Sequence, residues 1–456
     1  MAKTTQTKTT IKATEKKETK KITLNHITKV EGHAEIDISI VNGKIEHCHV
    51  HSVEGARYFE GILKGRSYDE VTMITSRICG ICSCGHTIAS IKAVENALNI
   101  KPTIQTEYLR ELITIGERIR SHASHIYFFS LPDYVGYSSA IDMAKEYNQE
   151  IKDCLEIIRV GNELVKLVGG RDMHPFTSVV GGFTIVHSQK EFDEIRKELV
   201  NIIPLLKKTI KLFASLKVPQ YEKKDTVFVC LDDHKTFPLH NGEIISNTGF
   251  KFMPNEYEKF IDEHFHSGSS AKFATINGKE YMTGALARIN ILYDRLNKDT
   301  KSIIKELNLK FPSTNLLDNN LAQALEMLHW TERAIDILKN NKFKYEEKIL
   351  PKLDKPSSRG IGAIEVPRGI LFHDYTFNKE GIVIKANIMT PTVQNLADME
   401  ANVKAYLNQI LEKEPNKKKE ELQLEIEKMV RAFDPCFSCS THFLKVNWKE
   451  GKKQKA

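Results

Sequence analysis

The residues with the greatest chemical potential are four cysteines arranged as two Cys-x-x-Cys pairs. Cys79 and Cys82 stand in Arg77-Ile78-Cys79-Gly80-Ile81-Cys82-Ser83-Cys84-Gly85-His86, and Cys436 and Cys439 in Asp434-Pro435-Cys436-Phe437-Ser438-Cys439-Ser440-Thr441-His442. Two intervening residues let both sulfurs of a pair turn toward one metal, and four thiolates suit a soft or borderline ion. Structural zinc is one reading, but its two pairs ordinarily sit about 15–20 residues apart, whereas 353 residues separate Cys82 from Cys436. A thioredoxin-like redox pair is a second reading. Spacing alone does not choose among them. A site that joins both pairs must staple distant parts of the fold together.

The other four cysteines, Cys48, Cys84, Cys154 and Cys230, form no Cys-x-x-Cys-x-x-Cys run for an iron–sulfur cluster, and core packing is their default. Gly360-Ile361-Gly362-Ala363-Ile364-Glu365 is a partial glycine fingerprint without a third Gly or a preceding strand, so no dinucleotide site follows. No P-loop is present.

The elements that must position the cysteines are partly legible. Ile36, Ile38 and Ile40 alternate with polar residues up to Asn42-Gly43, with Ile45 beyond, which reads as a hairpin. Helical periodicity places Ile88, Ile91, Val94 and Leu98 on one face, and Ile151, Leu155, Ile158, Val165 and Val168 on another that stops at Gly169-Gly170. Ser188 and Glu191 form a capping box ahead of Ile195, Leu199 and Ile202. Leu321, Leu325, Leu328, Ile335 and Leu338 mark a further long helix, and Ile382-Val383-Ile384 a strand running toward Thr390-Pro391-Thr392. The expected class is α+β, mostly α, with a central bundle of long helices and small peripheral β-sheets.

Charge narrows the function classes. The 456 residues carry a formal charge of +7, yet Met1–Lys21 alone accounts for +5 and Phe443–Ala456 for +4, leaving the body at −2. Basicity confined to two solvated ends does not describe a nucleic-acid-binding surface. No apolar run reaches the roughly 18–20 residues of a membrane span, and the first 21 residues have no secretory h-region. A cytoplasmic location is expected, where thiols stay reduced and disulfides are disfavoured. Residues 1–21 are expected to be a disordered Lys/Thr-rich tail and 22–442 the folded domain.

Together, Arg-x-Cys-Gly-x-Cys-x-x-x-His at 77–86 and Asp-Pro-Cys-x-x-Cys-x-x-His at 434–442 resemble the paired signature of nickel–iron (NiFe) hydrogenase large subunits. The resemblance runs from Ile27 to His442. It is closest to the alpha subunits of cytoplasmic sulfhydrogenases and NAD(P)-linked hydrogenases, through LPDYVGYSS (131–139), NNLAQALE (319–326), TERAIDIL (331–338) and EVPRGIL (365–371). Respiratory-complex quinone-site subunits share that fold but have lost the nickel cysteines, all four of which are present here. A zinc-stapled structural protein would not account for Glu31, Glu60 or Arg368.

The resemblance implies a NiFe hydrogenase large-subunit fold and reversible heterolytic cleavage of H2. It makes Cys79 and Cys436 terminal nickel ligands, and Cys82 and Cys439 bridges to an iron that carries one CO and two cyanides. Arg368 would hang over the open site with Asp133 and Asp434 as its acidic partners. Because a guanidinium is a poor base, Cys436 is the preferred proton acceptor. Glu31, in Lys29-Val30-Glu31-Gly32-His33, would carry the proton onward; Lys29 stands where the family commonly has Arg. Thr392 would hydrogen-bond a cyanide, with Ser438 and His86 as supporting neighbours. Glu60, His442 and the main-chain carbonyl of Ile388 would hold Mg2+ or a similar divalent ion. Segment 443–456 reads as a maturation peptide, removed after His442 by an endopeptidase once nickel chaperones have delivered the metal. The chain has no iron–sulfur, flavin or nicotinamide site of its own. The resemblance therefore implies a partner, an iron–sulfur small subunit, with flavin/NAD(P)-binding and ferredoxin-like subunits beyond it. NAD(P) or polysulfide would be the electron acceptor.

Overall fold

The computed structural model describes residues 19–353 and 357–441. Most of the expected basic tail, His442 and the segment 443–456 lie outside the described residues. Thr19–Lys21, assigned to the tail by composition, instead open strand β1 (Thr19–Leu24). It pairs antiparallel with β2 (Ala34–Val41), setting Ile22 opposite Ile38 and Leu24 opposite Ile36. A main-chain ladder does not depend on side-chain polarity, so Lys and Thr can join it at a sheet edge. Asn42 and Gly43, at φ 51° and 75°, turn the chain into β3 (Lys44–Ser52). A two-residue hairpin of this hand requires positive φ at both positions.

Long helices form the body. α1 (Ser83–Leu98) starts at the first cysteine pair. α2 (Ile104–Ser124), α3 (Asn148–Gly169), α4 (Gln189–Ser215) and α5 (Asn319–Asn340) pack on one another in one core shared with the first sheet. α4 begins at the expected Ser188–Glu191 capping box, and α3 ends at Gly170. The stripe on α3 is displaced from its expected place. Leu155 is 52% exposed, while Cys154, Ile157, Val160 and Leu164 are buried. α3 packs against both α2 and α4, and those two neighbours set the centre of a stripe whose existence periodicity shows. Among the described residues no helix is long and apolar enough to cross a membrane.

Smaller sheets sit around this bundle. β4 (Ile261–Phe265) and β5 (Lys272–Ile276) form a hairpin. β6 (Ser357–Val366), β7 (Gly369–Asn378) and β8 (Val383–Met389) form an antiparallel sheet in that order. The expected strand at 382–384 is thus the start of β8. Gly360 and Gly362 lie within β6, where no strand was expected. A Cβ at Gly362 would stand 2.1 Å from the carbonyl oxygen of Ala89, and one at Gly360 2.1 Å from that of Ala93. These glycines let a strand lie directly on α1 and are no part of a nucleotide motif. β8 passes through Thr390 into α6 (Pro391–Lys413), followed by α7 (Lys419–Ala432).

The turn Val366-Pro367-Arg368 between β6 and β7 rests on a buried ion network. Arg288 Nε and Nη2 donate to Glu326 at 2.6 and 2.7 Å, and its Nη1 donates to Glu365 at 2.7 Å. The same guanidinium donates to the carbonyls of Val366 at 3.2 Å and Pro367 at 3.0 Å. Arg118 donates to Glu326 at 3.2 Å and to the Glu365 carbonyl at 2.8 Å. Arg118, Arg288, Glu326 and Glu365 are all closed to water. Removing one partner leaves an uncompensated buried charge. Arg288→Leu is therefore expected to cost about 3–5 kcal/mol, read as a lower melting temperature; a melting temperature equal to the parent's would contradict this role.

Candidate metal centre

Cys79 follows a short turn at Ser76–Ile78 in extended conformation, and Cys82 immediately precedes α1. Arg120 holds this loop by donating from Nη2 to the Ile81 carbonyl at 3.1 Å. The second pair enters from α7 through Asp434, at φ 50°, into the short turn Phe437–Ser440. There Glu31 and Cys436 form a parallel β-bridge, with the Phe437 amide donating to the Glu31 carbonyl at 2.8 Å. Gly32 permits this contact: at φ 81°, a Cβ there would lie 2.9 Å from the Ser438 nitrogen. Arg57 holds the far side, its amide donating to the Thr441 carbonyl at 2.9 Å and its guanidinium to the Ser438 carbonyl.

The two pairs thereby meet as the sequence leads one to expect. Sγ–Sγ separations are 2.8 Å for Cys436–Cys439, 3.0 Å for Cys82–Cys439 and 3.6 Å for Cys79–Cys436. All four sulfurs lie within 4.8 Å of one another and are buried. Contacts from Cys436, Cys439 and Cys82 pull the Cys79 thiol well below its ordinary range. Burial pushes Cys436 and Cys439 well above it. At Cys82, contacts from Cys436 and Cys439 act downward, but Cys79 and burial prevail and raise it to about 11. One thiolate satisfies the cluster alone; further deprotonation requires cations among the sulfurs. The donor set fits a metal centre.

A small cavity of about 10 Å3 opens beside Cys82, Cys436 and Cys439, walled by Val366, Pro367, Leu371 and Pro391. It admits about one water-sized group. Arg368, Thr390, Thr392 and His86 also line it. Arg368 Nη1 and Thr390 Oγ1 are buried without a hydrogen-bond partner among the described residues. Such orphaned donors in a closed pocket call for a ligand. Thr392 Oγ1 accepts the Cys436 amide at 3.0 Å, while His86 Nδ1 lies 3.0 Å from His373 Nε2. Thr390 was not singled out from sequence, although it stands in the quoted Thr390-Pro391-Thr392.

Arg368 donates to the Asp434 carbonyl at 2.6 Å and to its carboxylate at 2.9 Å. Burial opposes its charge, but Asp434 and the cysteines prevail and hold the guanidinium firmly protonated. Asp434 is the expected acidic partner; Asp133 is not. Asp133 instead accepts from Arg431 at 2.6 Å and pairs with Lys29. It reaches the site only at several removes: His125 lies 2.7 Å from the Arg431 carbonyl and 2.5 Å from Gln323, which donates to Asp434 at 3.1 Å. Two cations outcompete a distant arginine for one buried carboxylate.

Glu31 Oε2 stands 2.9 Å from Cys436 Sγ and accepts the Ser438 amide at 3.2 Å. The Ser438 hydroxyl donates to its other oxygen. Glu60 Oε1 accepts the Ile388 amide at 3.1 Å and the Lys272 ammonium at 3.2 Å. The contact of Ile388 with Glu60 is thus through its amide, and His442 lies outside the described residues. Lys272 and Arg57 were missed from sequence because nothing local distinguishes them from surface cations.

Residues 57–157 and 248–442 match the nickel-dependent hydrogenase family. The chain is 34% identical to the alpha chain of sulfhydrogenase 1 of Pyrococcus furiosus over 428 residues, spanning 93% of this chain and 98% of that one. It is 34% identical to the alpha chain of sulfhydrogenase 2 of the same organism, over 93% and 100% of the two chains. Its structure resembles an NAD+-reducing NiFe hydrogenase solved in the H2-reduced state, with a TM-score of 0.82, 25% identity, and coverage of 93% and 99%. A pocket of four sulfurs that needs cations to carry its charge, in a chain related along nearly its whole length to nickel-dependent enzymes, places this protein in the nickel-dependent hydrogenase family as a NiFe catalytic large subunit.

Proposed function

We propose that the chain cleaves H2 reversibly and heterolytically at a nickel–iron centre held by Cys79, Cys82, Cys436 and Cys439, and that the proton leaves through Cys436 and Glu31. The 2.9 Å contact between Glu31 Oε2 and Cys436 Sγ carries this reading. Cys79 and Cys436 would each hold one metal, and Cys82 and Cys439 would be the sulfurs shared with the other. The 3.0 Å between Cys82 and Cys439 is compatible with their sharing. When bound, the centre, with one CO and two cyanides on iron, supplies the polarising charge that makes H2 acidic.

The remaining work falls to side chains. Cys436 Sγ accepts the proton, and Glu31 Oε2, pinned by Ser438, takes it from sulfur. Glu31 is only partly buried, so water can collect the proton from it. Arg368, held cationic by Asp434, orients and stabilises negative charge in the cavity and does not act as base. Thr392 positions Cys436 through its amide, and the Thr390 and Thr392 hydroxyls would donate to a cyanide. Glu60, the Ile388 carbonyl and His442 are the protein ligands of Mg2+ or a similar ion.

Electrons pass to an iron–sulfur small subunit, then through flavin- and ferredoxin-like subunits to NAD(P) or polysulfide. The relatives' designation as alpha chains and the likeness to an NAD+-reducing enzyme support this. The enzyme works in the cytoplasm, matured by nickel chaperones and an endopeptidase that removes 443–456.

Metal analysis of the purified enzyme is expected to give one nickel per copy of this chain, together with iron, and infrared bands of bound CO and cyanide; zinc alone would overturn the assignment. Glu31→Gln should keep both metals and those bands but lose H/D exchange by about 100-fold or more, and undiminished exchange would remove Glu31 from the proton path. Intact mass of active protein is expected to end at His442. A mass running through Ala456 would rule out cleavage.

A further inference from the structure

β3 carries His47, His49 and His51 at alternate positions, so all three leave one face of the strand. Two further histidines come from β4 and the turn after it. The rings of His264 and His266 lie 5.2 Å apart, and that of His266 meets His49 edge-on at 6.4 Å. α6 closes the group with Glu400, whose Oε1 lies 3.8 Å from His49 Nδ1 and accepts the Val50 amide at 2.8 Å. One ligand atom from each of His49, His266 and Glu400 falls within 4.8 Å of the others. None of the three takes part in the hydrogen chemistry described above.

The cluster has one half-buried and one exposed imidazole. His266 is stacked flat on Phe273 at 4.0 Å and 8°. The His49 side chain is 49% exposed and lies nearly parallel to the His47 ring at 5.9 Å. Burial, then neighbouring imidazoles, hold both rings below the ordinary histidine range, so each presents a lone pair at neutral pH.

We infer that His49, His266 and Glu400 form a second metal site, on the surface, for one divalent ion of the borderline class such as Zn2+ or Ni2+. Two imidazole nitrogens and a carboxylate oxygen are the donors such ions take, whereas Mg2+ and Ca2+ favour sites in which oxygen donors predominate. Bonds of about 2.0–2.1 Å need ligand atoms roughly 3.3 Å apart, so the three side chains, now within 4.8 Å of one another, draw closer when the ion binds. Water fills the remaining positions. The bound ion ties together β3, the turn after β4, and α6, whose first turn carries Thr392.

The test uses the metal-loaded enzyme after a chelator wash, dialysed to equilibrium against Zn2+, with metal content read by mass spectrometry. One Zn2+ per chain is expected beyond the ions already bound. His49→Ala and His266→Ala should each weaken its binding about tenfold or more, while His187→Ala, a half-buried control outside the cluster, binds as the parent does. All three variants should keep parental nickel and iron, which shows an intact fold and cysteine centre. Absence of the additional Zn2+, or parental binding by both His49→Ala and His266→Ala, would overturn the assignment.

Discussion

Four sulfur atoms packed within 4.8 Å and shut away from water cannot all be thiolates unless cations share their space. Much of the surrounding architecture answers to that constraint. The pairs come from remote stretches of chain, so each needs its own anchor. Arg120 grips the first loop through the Ile81 carbonyl, and the Glu31 bridge with Arg57 grips the second. The turn bearing Arg368 could not hang unsupported beside the cluster, and the Arg118–Arg288–Glu326–Glu365 network fixes its carbonyls from beneath. A rigid frame matters because the gain from preorganised charge is lost when the charges must move.

The site also separates two roles that a single residue could not fill. Arg368 and Glu31 both neighbour Cys436, one lining its cavity and the other touching its sulfur. Asp434 keeps the arginine permanently charged, which bars it from proton transfer but suits it to electrostatic work. Ser438 holds the Glu31 carboxylate by two hydrogen bonds against the Cys436 sulfur. On the proposed mechanism, electrostatic stabilisation and proton removal thus fall to different side chains.

What the sequence revealed was mostly local or compositional. The paired cysteines, the Asn42-Gly43 hairpin and the Ser188–Glu191 cap each depend on residues close in the chain, and each stands where expected. Contacts set by the tertiary fold were harder to read. Asp133 lies nearer to Arg431 and Lys29 than to Arg368 because of how α7 docks. Leu155 is exposed because α3 has two helical neighbours with their own demands. Gly360 and Gly362 looked like an incomplete phosphate loop because closeness to α1 leaves no mark beyond the glycines themselves. His49, His266 and Glu400 come from three separate parts of the chain, so their grouping exists only after folding.

The bridge between Glu31 and Cys436 joins residues 405 positions apart. A ribosome adds about 5–20 residues per second, so Cys79 waits roughly 20–70 s for Cys436 to be made. Asp434, the carboxylate that holds Arg368, is made only just before Cys436. Throughout that interval the nascent chain displays half a pocket: two thiols, a glutamate with no sulfur to serve and an arginine without its counterion. Translation therefore acts as a timer. A metal ion that arrives early meets two sulfurs, and only a finished polypeptide can offer four.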